Sequence, residues 1–495
     1  MSEFLASEAI RAATGGTWWR APAPGAVAPS GVSIDTRQEQ RGRVYIALRG
    51  RTHDGNAFAA DASRAGAAMV VVESPPAGDP KDFPGSAGVL TVADGRAALA
   101  AIASAWRREC VGLRVIGITG SAGKTTTRRL VDAALATTLG GSASPKSFNN
   151  EIGVPLTLLG ARRDDDYLVA EIGMNRPGEI AALAGLVRPD IAVVTMVGRA
   201  HLEGVGSVEG IAREKASILE PLSPDAVAVV NGDSPLLAAA LDEGRRAGRI
   251  VVRRIKRFGR SGADLDLRLT QRVALAAGQE FVLADGGRFS LRLDGEHNAL
   301  NALAAIAVAR AMGLPDRAIA EGLAAVRPES MRLERVEMAG MLVFNDAYNA
   351  NPDAMAASLR AFAEVTSAEG DEAIRRVVIL GEMLELGAAA ADCHREVGRL
   401  LAEINRTVPV HAVGAVGRHA DSYAAGLRDG GWQGDLAEAS DLDAEGVRRI
   451  RPLLRPGDRV LVKGSRGAAM ERLLAAVAAE VSADAVLASG GGASR

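Results

Sequence analysis

An apolar run at 114–119 leads into Gly120-Ser121-Ala122-Gly123-Lys124-Thr125-Thr126, and a helical pattern follows over 125–139. This strand, Gly-rich turn and helix constrain the fold more than any other segment. Gly120 and Gly123 let backbone N–H groups turn inward around phosphate oxygens, and the helix adds its positive N-terminal end. Lys124 would reach the β and γ phosphates, and the Thr125 hydroxyl would ligate Mg²⁺. Ser121, Ala122 and Thr126 complete the loop as nucleotide contacts. The spacing is G-x-x-G-K-T, shorter than the usual loop, because Ile118 occupies the first glycine's place.

Such a loop belongs to a parallel α/β sheet, and the flanking sequence agrees. Strand patterns at 167–172, 191–196 and 226–230 alternate with helical ones. From 251 to 293 the pattern changes to alternating residues with Gly-containing turns, which predicts an antiparallel β insertion. A strong helix at 298–312 stops at Gly313-Leu314-Pro315. Before the loop, 43–48 reads as a strand, 73–88 as a Pro/Gly/Ala-rich loop and 95–110 as a helix. Beyond residue 328, strands are expected at 341–344, 377–380, 408–413 and 459–462. The expected fold class is α/β in three domains: 1–111, 112–327 with the phosphate loop, and 328–487, with 488–495 (ASGGGASR) a disordered tail.

The chain's 495 residues suit three domains. Its 58 basic and 60 acidic residues leave a net charge of −2, which argues against a general nucleic-acid surface or a polybasic membrane anchor. No apolar run approaches the ~20 residues of a membrane span, and the N-terminal stretch carries Glu3 and Glu8 and lacks a signal peptide's apolar core. The expected protein is a cytoplasmic enzyme. Cys110 and Cys393 are expected to be small buried hydrophobes. Only six of the 58 basic residues are lysine, at 81, 124, 146, 215, 256 and 463. Where arginine serves nearly everywhere, a retained lysine marks a place where a compact ammonium or a deprotonatable amine is needed. Lys81 and Lys256 read as surface residues.

Three further side chains are candidates by position. Glu171 ends the 167–172 strand, where a parallel sheet presents its ligand crevice and a carboxylate can hold Mg²⁺; a strand-terminal surface residue is the alternative. His201 lies in a loop after the 191–196 strand. Lys215 lies in a helical pattern at 207–219, and by sequence alone reads as a solvated helix face. Asn349, Asn351, Lys463, Ser465 and Arg466 fall in loops after strands of the last section, again on the crevice side. Arg466 suits a bidentate carboxylate contact; a tight turn at 464–467 is the alternative.

The run Ser147-Phe-Asn-Asn-Glu-Ile-Gly-Val-Pro-Leu-Thr157 resembles the N-x-N-N-x-I-G-V-P-L-T signature of the Mur ligases, with Ser147 in place of the first Asn. The phosphate loop, Glu171-Ile-Gly-Met-Asn175, Gly198 to Leu202, Gly295-Glu-His-Asn-Ala-Leu-Asn-Ala302 and Val462-Lys-Gly-Ser-Arg-Gly467 follow in the family's order. Asn345-Asp-Ala-Tyr-Asn-Ala-Asn-Pro352 and Gly381-Glu-Met-Leu-Glu-Leu-Gly387, followed by His394-Arg-Glu-Val-Gly398, resemble the D-alanyl-D-alanine-adding (MurF) branch, and the D-N-P-R motif of a sister branch is absent.

The resemblance implies an N-terminal UDP-substrate domain, a central P-loop ATPase domain and a C-terminal Rossmann-like domain. It implies ATP as cosubstrate and UDP-MurNAc-tripeptide and D-Ala-D-Ala as substrates, with the enzyme acting as a monomer. One Mg²⁺ would sit at Thr125 and Glu171 and a second at His201 and Lys215, the lysine carbamylated. Asn298 and Asn301 match an adenine contact, and Arg332 and Asp346 match ATP contacts. Ser33, Asp35 and Arg37 match the UDP-binding section, although an Asp35–Arg37 ion pair would equally fix that loop. Asn56 stands where the branch usually has His. Another amino-acid-adding ligase of this fold, such as a folylpolyglutamate synthase, and a nucleotide-switched binding module are the competing readings.

Overall fold

The computed structural model describes residues 4–50, 52–370 and 374–479; the expected tail at 488–495 lies outside them. Three sheets follow one another along the chain. The first has five strands in the order Thr17–Arg20, Gly88–Thr91, Met69–Val72, Val44–Ile46, Val32–Ser33. Only Thr17–Arg20, at one edge, runs antiparallel to its neighbour. The helix Gly95–Glu109 begins where the Asp94 carboxylate accepts the Ala97 N–H at 2.8 Å. Its buried Trp106 donates Nε1–H to the Ala161 carbonyl at 2.9 Å, tying this section to the next.

The second sheet has nine strands and carries the phosphate loop. Arg114–Thr119 lies between Ile191–Val194 and Tyr167–Glu171, parallel to both. The β insertion expected at 251–293 extends this sheet: Leu267–Leu275, Gly278–Leu283 and Arg288–Leu291 pair antiparallel. Its first strand, Arg254–Gly259, runs parallel to Val227–Asn231. The helix Pro235–Arg246 makes the crossover that a parallel pairing needs. The helix Glu296–Ala311 is apolar on nearly every side, rich in alanine, and is buried against Lys124–Leu135.

The third sheet has six strands in the order Glu334–Met338, Met341–Asp346, Arg459–Lys463, Arg376–Leu380, Ala412–Val416, Asp435–Ala439. The first pair is antiparallel and the rest are parallel. The strand expected at 408–413 lies four residues later, at Ala412–Val416; Pro409, which has no backbone N–H to give a ladder, and His411 stand between Val408 and its start. Both cysteines are buried and free. No helix among the described residues is long and apolar enough to cross a membrane.

Candidate active site

The C-terminal ends of the second sheet's parallel strands face the third sheet across a cleft of about 620 Å³. The phosphate loop forms its floor. Gly120 has φ +152°, and a Cβ there would lie 1.9 Å from Thr195 Oγ1. That hydroxyl donates to the Ala122 carbonyl at 2.6 Å and fixes the loop's curve. Gly123 has φ +83°, with Asn301 Oδ1 2.4 Å from where a Cβ would stand. Only glycine fits either place. Ser121 exchanges hydrogen bonds with Gly198 at 3.0 Å. Ala122 and Thr126 line the cleft beside it.

Lys124 is half-buried and donates to the Gly120 carbonyl at 2.8 Å. Burial draws its ammonium below the ordinary lysine range, partly offset by the Glu171 charge. Thr125 Oγ1 lies 2.9 Å from Glu171 Oε2 and 3.0 Å from Arg332 Nη2. Glu171 is 1% exposed, so it is not a solvated strand end. Asn149 Nδ2 donates to its other oxygen at 2.9 Å, and Arg128 Nε lies 3.9 Å from Oε2. Hard oxygen donors at Thr125 and Glu171, facing a phosphate loop, fit Mg²⁺.

Lys215 is fully buried, and its Nζ has no hydrogen-bond partner among the described residues. The solvated-helix reading therefore fails. Burial, and then the Lys124 charge, hold its pKa well below that of an ordinary lysine. Its neighbour Glu214 turns away to accept the N–H groups of Gly178 and Ile180. His201 lines the cleft with φ +62°, its Nδ1 2.6 Å from Glu385 Oε2 of the third section. That contact keeps the Glu385 carboxyl below its usual range.

Asn298 and Asn301 share one helix face and line the cleft, joined by an Asn301 Nδ2 to Asn298 Oδ1 bond of 3.2 Å. Arg332 stacks over Tyr348 at 4.0 Å, and the Tyr348 hydroxyl lies 2.6 Å from Ser147 Oγ. Asp346 accepts from Lys463 Nζ at 2.7 Å, from Leu333 N–H and from Ser358. Buried Lys463 also donates to the Asn349 carbonyl at 3.1 Å. His297 stands beside this group, with its pKa drawn down to about 4 by burial.

The remaining expected residues divide. Asn349 lines the cleft. Asn351 caps the helix Pro352–Ala368 through Ala354 N–H and reaches the Ser121 carbonyl at 3.4 Å. Ser465 is buried and serves as a brace, accepting Leu384 N–H at 3.0 Å. Arg466 stands at the surface, its side chain 61% exposed, against Met331 and Glu471. Asp35 and Arg37 form a bidentate ion pair and Ser33 accepts from Gln40, all outside this cleft. Lys81 and Lys256 are at the surface, as expected.

Sequence reasoning missed Thr195, Tyr348, Asp353 and Glu385 as parts of the site. Asp353 accepts the Arg199 N–H at 2.7 Å and Arg199 also pairs with Glu396, so the third section is clamped to the loop bearing His201. Asn149 and Glu385 stand within quoted motifs, and each was legible only as a letter in them.

Residues 118–309 match the Mur ligase middle domain, 331–466 the Mur ligase glutamate ligase domain and 29–107 the Mur ligase family catalytic domain. The UDP-N-acetylmuramoyl-tripeptide–D-alanyl-D-alanine ligase of Bacillus subtilis is 33% identical over 448 residues, covering 90% of this chain and 92% of its own. That of Mycobacterium leprae is 36% identical over 481 residues, covering 89% and 91%. A crystal structure of MurF from Acinetobacter baumannii superposes with a TM-score of 0.80 at 30% identity, covering 96% of this chain and 99% of its own. A Thermotoga maritima MurF in complex with ADP gives 0.75 at 26% identity, covering 92% and 98%.

Proposed function

This chain belongs to the Mur ligase family, and from that premise we infer that it joins D-alanyl-D-alanine to UDP-N-acetylmuramoyl-tripeptide at the expense of ATP, in peptidoglycan precursor synthesis. The observation that carries the reading is the convergence on Thr125: phosphate loop, Glu171 and, from across the cleft, Arg332 meet at one hydroxyl. A ligase needs its nucleotide held between two domains, so that ATP binding and closure occur together. We take 1–111, 112–327 and 328–487 as its UDP-substrate, ATPase and Rossmann-like domains, and a cytoplasmic monomer as its working form.

A carboxylate is a poor electrophile and must be activated before an amine can attack it. The tripeptide's terminal carboxylate attacks the γ phosphorus of ATP, giving an acyl phosphate and ADP. The amine of D-Ala-D-Ala then attacks the acyl carbon, and phosphate leaves from the tetrahedral intermediate. Lys124 offsets the negative charge that develops on the phosphoryl oxygens. Asn298 and Asn301 hold the adenine end, and Arg332 and Asp346 hold the nucleotide from the third domain. Asn349, Asn351 and Lys463, which line the cleft, and surface Arg466 are assigned to the peptide side, where Ser465 acts by bracing the loop at Leu384, and Ser33, Asp35 and Arg37 are assigned to the UDP end.

Thr125 and Glu171 would hold one Mg²⁺, and His201 and Lys215 a second. Bound there, Mg²⁺ supplies positive charge against the phosphate oxygens. The buried, unpartnered Lys215 amine supports carbamylation. A neutral amine adds to CO₂, loses a proton and gains a carboxylate-like pair of oxygens, whereas an ammonium would repel the metal. The test is phosphate release from ATP with each acceptor amine in turn. D-Ala-D-Ala should support turnover. Turnover with L-Ala, D-Glu or diaminopimelate in its place would reassign the substrate, and ATP use indifferent to any amine would reject a ligase.

A further inference from the structure

We propose that Glu385 is a positioning residue for His201: a carboxylate delivered by the third domain that fixes the tautomer of an imidazole belonging to the second. The inference deepens the reading of His201 as a metal ligand and rests on it.

Two contacts join the loops. His201 Nδ1 lies 2.6 Å from Glu385 Oε2, and the Glu203 N–H donates to the Glu385 carbonyl at 3.1 Å. Both residues hold left-handed backbone conformations, each with φ +62°. Such strain in a residue with a side chain persists only where its surroundings over-determine it. The third domain does so on its side. Met383 N–H donates to His394 Nε2 at 3.0 Å, and Leu384 N–H to Ser465 Oγ at 3.0 Å. The Tyr423 hydroxyl donates to the Gly381 carbonyl at 2.9 Å. Glu385 is thus held out on a braced loop, and Ser465 acts through that brace.

An imidazole has two nitrogens, and a carboxylate on one decides what the other can do. Glu385 accepts from Nδ1–H, so Nε2 keeps its lone pair, the form a metal ligand needs. Without the carboxylate, nothing in the described contacts of His201 selects that tautomer. The two residues are far apart in sequence, so the selected state exists only while the third domain is docked. Closure thereby completes the second metal site as well as the nucleotide site.

The test uses full-length protein with ¹⁵N-labelled histidine, free of metal and nucleotide, at pH 8.5. His201 is one of six histidines and is assigned by its absence in His201→Gln. The expected wild-type signal is a protonated Nδ1 and a bare Nε2. Glu385→Ala should lose that preference. Glu385→Gln should keep it, because its amide oxygen accepts the same bond. Mn²⁺ affinity of the ADP complex should fall roughly 10–100-fold in Glu385→Ala, the usual scale for losing a ligand's supporting partner, and much less in Glu385→Gln. An unchanged tautomer in Glu385→Ala, or a doubly protonated wild-type ring, would overturn the proposal. A wild-type enzyme that ignores D-Ala-D-Ala would refute the substrate reading instead, and leaves the tautomer measurement standing.

Discussion

Replacing Lys215 by methionine should raise stability while removing activity. The side chain is fully buried, and its amine nitrogen has no hydrogen-bond partner among the described residues. A buried polar group left unsatisfied costs about 1–3 kcal/mol. Methionine keeps an unbranched stem of similar size and removes the polar end. In metal-free, CO₂-depleted buffer at pH 7, Lys215→Met should therefore be more stable by about 1–3 kcal/mol. The pH dependence follows from the depressed pKa of Lys215 in the folded chain. Between that value and the unfolded value of about 10.4, the unfolded chain holds a proton that the folded chain has released. Wild-type stability then rises with pH, by at most about 1.4 kcal/mol per unit, while methionine contributes no such slope. The variant's advantage should shrink from pH 7 toward 10, read as paired denaturation curves at each pH. Turnover should fall roughly 10²–10³-fold or more, the scale for removing one electrostatic stabiliser. Lys215→Ala should be partly rescued by acetate, and Lys215→Arg should stay inactive. A methionine variant that turns over normally, or is destabilised equally at every pH, would refute the reasoning.

Lys124→Ala should lose roughly 10²–10³ in kcat, checked by steady-state kinetics on protein with an unchanged circular dichroism spectrum. Gly123→Ala places a methyl 2.4 Å from Asn301 Oδ1 at φ +83°; it should cost about 1–3 kcal/mol and weaken ADP binding, measured by calorimetry. Arg466→Ala should raise KM for a peptide substrate and leave that for ATP unchanged; an effect on ATP alone would remove Arg466 from the peptide side.

Local chemistry made the nucleotide half of the site legible. A phosphate loop declares itself because glycine, lysine and threonine are each needed at a fixed offset, and Glu171 follows from its place at the end of a parallel strand. The lysine count, with Lys81 and Lys256 set aside, pointed to four positions: Lys124 and Lys463 line the cleft and Lys215 is fully buried, while Lys146 is exposed. What stayed hidden depends on pairing across long separations. Thr195 matters only because Gly120 lies against it, and Glu385 only because the third sheet docks on His201. Arg254–Gly259 was expected as strand within the antiparallel insertion at 251–293, but it runs parallel to both its neighbours, an orientation that depends on the crossover before it and not on its own residues. Asp435–Ala439 is an edge strand with little apolar pattern to read.

The central claim is that the peptide carboxylate is activated by direct phosphoryl transfer. The decisive measurement uses UDP-MurNAc-tripeptide labelled with ¹⁸O in its terminal carboxylate, with ATP, Mg²⁺ and D-Ala-D-Ala. An acyl phosphate keeps one carboxylate oxygen bridging carbon and phosphorus, and that oxygen departs with phosphate when the amine displaces it. Mass spectrometry should therefore find one ¹⁸O in each phosphate released, and one pentapeptide product for each ADP. Phosphate free of ¹⁸O, released alongside the amide, would contradict the account.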